Sequence, residues 1–322
     1  MEILTYRELE QKEELLPMLD HAFGWPFNPR RFEEFAKIDP RLANGPIGFA
    51  AVEGGHVVGF VGVMDIPTRV IDGSVQCVGG VYGVATLASH VRRHVSTILM
   101  ERAHEYFREK GYRFSFLFTQ RYLVSHGMYE KLGYSDLLER SSAHKILALK
   151  KDKAGAKRKE KRVGKLDLDK VLRIYKRCVK DKTGVVLRDK AHMALHKKSD
   201  ELTGKNCVIG EDGYVFFQKN QSAWVRGTWI RELVALNKRE MDKLLAKLEA
   251  EAMDLIYDRA VLDERLRDIY RTRGYIVHDR SHGVVMVKPL TKDTSFKQAY
   301  GDKFFIAPFL SLIHISEPTR PY

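Results

Sequence analysis

Cysteine is scarce: the 322-residue chain has only Cys77, Cys178 and Cys207, far apart and in no C-x-x-C pair. That excludes a disulfide framework and a cysteine zinc site, and it suits a reducing cytoplasm. Long apolar runs are missing too, none approaching the roughly 20 residues of a membrane span. The acidic, helix-patterned start "MEILTYRELEQKEELL" is not built like a secretory signal. There is no Walker A, G-x-G-x-x-G or G-x-S-x-G arrangement, so phosphoryl transfer and elbow-type hydrolysis find no support. Three histidine pairs are spaced i, i+4: His90 with His94, His192 with His196, and His278 with His282. None carries an H-E-x-x-H glutamate or an obvious third ligand, and no metal is expected.

What is present is 44% apolar and 30% charged residues, the balance of a soluble globular protein long enough for two domains. The net charge of +13 is concentrated: residues 150–165 hold nine Lys or Arg against Asp152 and Glu160, an excess of seven. The segment "KKDKAGAKRKEKR" has no aromatic residue and no apolar period, so it can neither stack bases nor bury a face. It reads as a basic interdomain linker, the other reading being a docking strip for RNA, phosphates or an acidic partner. The ending "LSLIHISEPTRPY", residues 310–322, looks like a sequencing adapter translated in frame. The natural product is expected to depart from this sequence at about Phe309, and the tail carries no weight below.

The remaining pattern is mixed α and β. Leu15, Leu16, Leu19 and Phe23 fall at helical spacing before Gly24, and "GFAAVEG" with "HVVGFVGVMD" reads as a hairpin across Gly54-Gly55. A third strand, "VQCVGGVYGVATL", leads to a helix with Val95, Ile98, Leu99, Ala103, Tyr106 and Phe107 on one face. The strand "YRFSFLF", the short helix "SHGMYEKLGY" and a closing strand "HKILALK" complete the first half. The second half repeats the plan: a helix through Val171 and Tyr175, the hairpin "NCVIGEDGYVFFQ", the strand "WIRELVAL" and a helix with Met241, Leu244, Leu245 and Leu248. Then come "MDLIY", "ERLRDIYRTRGY" and a last strand "GVVMVKP". Both short helices end alike, Tyr129-Glu-Lys-Leu-Gly133-Tyr134 and Tyr270-Arg-Thr-Arg-Gly274-Tyr275, which points to two tandem copies of one α/β unit.

The helix start within "GVATLASHVRRHVSTILM" is the place where chemistry is expected. A helix N-terminus offers unpaired amides and a partial positive charge, which suits an anion. Around it stand Arg92, Arg93, His94, Val95, Ser96 and Thr97, with no acidic residue between Thr86 and Glu101. Two guanidiniums and two hydroxyls suit a pyrophosphate; the plainer alternative is an exposed basic helix start capped by Ser89. In the second copy Asn237 with Glu240 forms a capping box that satisfies the free amides internally.

With "VATLASHVRRHVSTILM" followed by a strand and then "MYEKLGY", the sequence resembles the GCN5-related N-acetyltransferase (GNAT) superfamily. The doubled plan resembles its tandem branch, which includes the enhanced-intracellular-survival acetyltransferases. The likeness runs from Met1 to about Leu290, by topology alone in the second copy. The family's acetyl-CoA signature, Arg/Gln-x-x-Gly-x-Gly/Ala, falls with its fixed positions on Val91, His94 and Ser96, none of which matches. Arg92 and Arg93 occupy its variable, often basic positions. His94 and Ser96 fit such a loop if both adopt helical angles and point away from the phosphate.

The resemblance implies roles. Backbone groups of Val84, Ala85 and Thr86 pair with the pantetheine arm and stabilise the oxyanion, and Arg92 to Thr97 hold the pyrophosphate. Tyr129 is the general acid for the departing thiolate, or else a core tyrosine with a bonded hydroxyl. The family's frequent asparagine, seven residues earlier, is Tyr122 here. His126 is a candidate base or water relay, or a structural histidine, and the chain's terminal carboxylate serves in some tandem relatives. The expected architecture is an α/β protein with a mixed sheet and two tandem GNAT-like domains. Residues 1–149 form the acetyl-CoA-binding one and residues 166–309 a degenerate one that completes the acceptor cleft. The expected activity is acetyl-CoA-dependent transfer to a primary amine of a small molecule or peptide, in the cytoplasm, with no nucleic-acid or membrane partner. The alternative is a non-catalytic module of the same fold, binding CoA or associating with RNA through the basic linker.

Overall fold

A computed structural model describes residues 1–24, 27–147, 166–199, 201–222, 226–261, 263–279, 283–292 and 294–307. The basic segment 150–165 and the tail 310–322 lie outside the described residues. The chain opens with β1 (Glu2–Thr5), α1 (Leu15–Phe23), α2 (Pro29–Ile38), β2 (Gly48–Glu53), β3 (His56–Arg69) and β4 (Val75–Thr86). It continues with α3 (Val95–Glu109), β5 (Phe114–Gln120), α4 (Val124–Lys131), β6 (Ser135–Glu139) and β7 (Ser141–Ile146). Next come α5 (Leu168–Cys178), β8 (Thr183–Val185), α6 (Lys190–Ser199), β9 (Cys207–Ile209), β10 (Gly213–Gln221) and β11 (Arg226–Ala235). The rest is α7 (Lys238–Glu251), β12 (Leu255–Val261), α8 (Glu264–Thr272), β13 (Ile276–His278), β14 (Gly283–Pro289), α9 (Phe296–Tyr300) and β15 (Phe304–Ile306).

Two mixed sheets carry these strands. One runs β1-β2-β3-β4-β5-β14-β6, with β8 added beside β3 and β15 beside β8, and the other runs β9-β10-β11-β12-β7-β13. Each has one parallel step at its centre, β4 with β5 in the first and β11 with β12 in the second; the first also pairs β15 with β8 in parallel, and the other pairings are antiparallel. A helix connects each central parallel pair, α3 in the first and α7 in the second, as a parallel crossover requires. In the first unit α3 sets Leu99, Met100, Ala103 and Phe107 against Val61, Val63, Val81 and Leu117. Gly79 is where the helix comes closest, since a Cβ there would lie 2.4 Å from the Phe107 ring. In the second unit Leu244, Leu245 and Leu248 of α7 meet Val215, Ile230, Leu233 and Ile256. This is the doubled α/β plan expected from the sequence.

The division of the chain differs from the expected one. The first compact unit gathers Met1–Glu139, Lys182–Leu187 and the strands and helix from β14 to β15, and the second holds the other described residues from Arg140. The closing strand of each half belongs to the other unit's sheet: β7 lies between β12 and β13, and β14 lies between β5 and β6. Burial explains the choice. Val284, Val285, Met286 and Val287 are all buried, which fits a central slot covered on both faces. In β7 burial alternates, with Ala143 in the core and Ser142 and His144 only half-buried. The sequence also gave no warning of α2, although Asn28 caps it by accepting from the Arg31 amide at 3.1 Å with Pro29 in the first turn.

Candidate functional site

The site is built where β4 leaves β5. Their parallel pairing consists of Gly79 with Ser115 and Gly80 with Phe116 and goes no further toward the C-terminal end of β4. On its other side β4 stays paired with β3 as far as Thr86. Between Tyr82, opposite Gly62, and Ala85, opposite Phe60, β4 holds one residue more than β3, and Gly83 takes a left-handed φ of 58° there. The bulge turns Val84 toward the core under α3. It leaves the main chain of Val84, Ala85 and Thr86 beside a gap on the β5 side.

The loop from Thr86 to α3 is strained and open. Arg92 and His94 both have left-handed backbones, with φ of 65° and 60°. For residues other than glycine that conformation costs roughly 1–2 kcal/mol each. The expectation that His94 and Ser96 are both helical is therefore corrected. Ser96 lies in the first turn of α3, whereas His94 precedes it as a left-handed N-cap with no side-chain bond, at the position where the family signature has glycine. The proposed Ser89 cap is also absent, its hydroxyl lying 2.9 Å from His90 Nδ1. Ile98 donates to the His94 carbonyl at 3.0 Å, but the amides of His94, Val95, Ser96 and Thr97 meet no acceptor among the described residues. Two contacts fix this row in place. Val95 fits over Gly59, where a Cβ would come within 2.4 Å of Val95 Cγ1, and the Ser96 hydroxyl lies 2.5 Å from that of Thr86.

The cations beside the row differ. Arg92 is exposed and has no partner among the described residues. Arg93 donates to Glu53 at 2.8 and 3.0 Å, so an acidic group absent from the local sequence arrives from the end of β2. In the second unit Asn237 caps α7 by accepting from the Glu240 amide at 2.9 Å. The reciprocal half of the expected capping box is replaced: the buried Glu240 carboxylate accepts from the Glu211 amide at 3.0 Å. Its negative charge at the helix start disfavours an anion there.

Tyr129 and Tyr270 occupy matching positions in α4 and α8 but differ in bonding. The Tyr270 hydroxyl donates to Asp258 Oδ2 at 2.8 Å. Tyr129 is buried, and its hydroxyl has no hydrogen-bond partner among the described residues; burial raises its pKa above the ordinary phenol value, so it stays protonated. Twelve residues before Tyr129 stands Leu117, where Asp258 stands before Tyr270. The Tyr129 ring packs edge-on against Tyr134 at 6.0 Å. Tyr134 is anchored by His104 Nε2 at 2.9 Å and Ser115 Oγ at 2.7 Å. Burial, with Lys288 and Arg108 adding to it, pushes the His104 pKa down to about 3, so that ring is neutral.

His126 is already engaged: Nε2 lies 2.9 Å from Asp136 and Nδ1 3.7 Å from Glu130, while Arg121 also pairs with Asp136 and Glu139. Tyr122, in place of the family's asparagine, is exposed, as is Val124 at the start of α4. Of the histidine pairs, His192 holds Asp189 at 2.8 Å and His282 lies outside the described residues. Among the described residues no group of three or more His, Cys, Asp or Glu is placed to hold a metal ion, and no helix is long and apolar enough to cross a membrane. Two features had no sequence signal: Glu53, 40 residues from Arg93, and the left-handed turns at Arg92 and His94.

Comparison with known proteins gives this geometry a family. Residues 5–136 match the acetyltransferase (GNAT) domain. Over that segment the chain is similar to GNAT acetyltransferases. Solved GNAT structures extend the likeness beyond that segment. A GCN5-related N-acetyltransferase from Kribbella flavida aligns over 90% of this chain and 72% of its own, with TM-score 0.60 at 18% identity. One from Anabaena variabilis covers 90% and 73%, with TM-score 0.59 at 14% identity. Eis1 from Mycobacterium abscessus covers 82% and 72%, with TM-score 0.52 at 18% identity. At these identities the likeness is one of GNAT fold, and it includes the second unit. No curated protein matches the chain.

Proposed function

We propose that the protein is an acetyl-CoA-dependent N-acetyltransferase whose first unit binds the cofactor and does the chemistry. The observation that carries this reading is the row of four acceptor-free amides from His94 to Thr97 beside a β4 end that β5 leaves unpaired. The amides and Arg92 suit a pyrophosphate, and the free side of Val84 to Thr86 suits the amide-rich pantetheine arm. Acetyl-CoA supplies the activated acyl group as a thioester.

The chain's own groups then have defined tasks. A main-chain N–H at Val84–Thr86 stabilises the charge that grows on the carbonyl oxygen as a primary amine attacks. The new C–N bond forms as the C–S bond breaks, and the Tyr129 hydroxyl gives its proton to the departing thiolate. The amine's surplus proton leaves to solvent and restores the phenol. Burial keeps the phenol protonated at neutral pH, the form a general acid starts from. His126 is left out of these steps because both ring nitrogens face carboxylates. The acceptor is a small-molecule or peptide amine. Three free thiols fit work in the cytoplasm, where CoA thioesters are made.

Thermal denaturation with and without millimolar CoA tests the reading. A ligand at about 100 times its Kd stabilises the native state by about 2.7 kcal/mol, so the midpoint rises measurably. An unchanged midpoint in folded protein rejects it.

A further inference from the structure

Each unit ties the tip of a β-hairpin to the start of its central crossover helix, α3 or α7, and each tie uses a carboxylate. In the second unit the carboxylate is on the helix: Glu240, 7% exposed, accepts from the Glu211 amide in the β9–β10 turn. In the first unit the carboxylate is on the hairpin: Glu53 ends β2, beside the Gly54-Gly55 turn, and accepts from Arg93 just before α3. His90 Nε2 also stands 4.0 Å from Glu53.

The two ties differ in permanence. The first joins side chains that are 50% and 37% exposed, and exposed ion pairs of this kind are weak and exchange readily with water. The turn that carries Glu53 is unencumbered, because Cβ atoms built on Gly54 and Gly55 would touch nothing within 4 Å. Beside the pair lie the unfilled amides of His94 to Thr97. A phosphate docking on those amides adds negative charge near Glu53 and offers Arg93 a stronger acceptor, and both effects work against the pair.

We propose that Glu53 is an internal competitor for the phosphates of the cofactor. It holds Arg93 while the amide row is empty and yields the guanidinium when a phosphorylated ligand arrives, so it sets cofactor affinity. The second unit has the same bridge in a buried, permanent form. The proposal rests on the CoA-binding reading above.

Calorimetric titration of CoA and of phosphate-free pantetheine into wild type, Glu53→Gln, Arg93→Gln and the double variant tests it. Glu53→Gln is expected to bind CoA about three- to tenfold more tightly, the range given by removing one exposed unit charge near a multiply charged ligand. Pantetheine affinity should stay the same, and most of the gain should vanish in the Arg93→Gln background. Glu53→Ala, folded by its thermal midpoint, serves as a second variant. Wild-type CoA affinity in both Glu53 variants overturns the proposal, and so does an undiminished gain without Arg93 or an equal gain for pantetheine. No CoA binding by wild type or any variant overturns the cofactor reading itself, which separates the two failures.

Discussion

The Tyr270 hydroxyl donates to the buried carboxylate of Asp258 at 2.8 Å, deep in the second unit. Burial pushes the Asp258 pKa up to about 6, against the opposing pull of the Ala260 amide, the Tyr270 hydroxyl and Arg140. The hydroxyl of the matching Tyr129 meets neither this carboxylate nor another hydrogen-bond partner among the described residues. Both tyrosines are core residues, and they differ in what their hydroxyls meet.

That contrast predicts opposite phenotypes for the same substitution. Tyr129→Phe should lower kcat by about 10²–10⁴-fold, the usual range for a lost general acid, with CoA binding and thermal midpoint nearly unchanged. Tyr270→Phe should leave catalysis intact and cost about 1–3 kcal/mol of stability by stranding the Asp258 carboxylate. Steady-state kinetics and denaturant titration of both variants check the pair.

Asp258 also makes stability depend on pH. Its folded pKa lies above the unfolded value, so its contribution is fully present below about pH 4 and is lost as pH rises through about 6. By pH 7 the buried charge costs about 3 kcal/mol relative to the neutral acid. Asp258→Asn should raise the melting temperature at pH 7, and its advantage over wild type should shrink steadily down to pH 4. An advantage independent of pH rejects the assignment.

In the same unit Arg188 and Glu232 form a bidentate pair at 2.8 and 3.0 Å, with side chains 1% and 0% exposed. Tyr214 donates to the same carboxylate, and the Arg188 guanidinium lies 4.1 Å from the Tyr175 ring centroid. Removing one partner should cost about 3–5 kcal/mol, because the other charge is left buried alone. Arg188→Met combined with Glu232→Met should recover most of that loss, as equilibrium unfolding in urea can measure.

The left-handed N-cap makes His94→Gly a test of the loop. Relief of backbone strain outweighs the added chain entropy, so the variant should be more stable by up to about 1 kcal/mol and should bind CoA at least as well as wild type. A loss of CoA affinity would mean that the imidazole itself contacts the ligand.

Much of this was legible in the sequence for local reasons. Gly54-Gly55 between alternating runs gave the β2–β3 hairpin, and Val95, Leu99, Ala103 and Phe107 at helical spacing gave the buried face of α3. Asn237, three residues before Glu240, gave one half of a cap, but the side chain of Glu240 found a distant amide that no local pattern encodes. His94 was misread because periodicity reports which face a residue takes and is silent on the sign of a single φ. The exchanged strands were beyond reach for a related reason. The apolar run Val284–Val287 specifies burial on both faces, and it does so equally for any central slot.

That exchange has a consequence during synthesis. When β6 leaves the ribosome, the strand that belongs between it and β5 is still about 140 residues from being made. At about 5–20 residues per second the nascent chain waits roughly 7–30 s with two strand edges unpaired. The N-terminal half is therefore a holding state that closes only when the other half delivers β14, and chaperones that shield sheet edges have their longest opportunity in that interval.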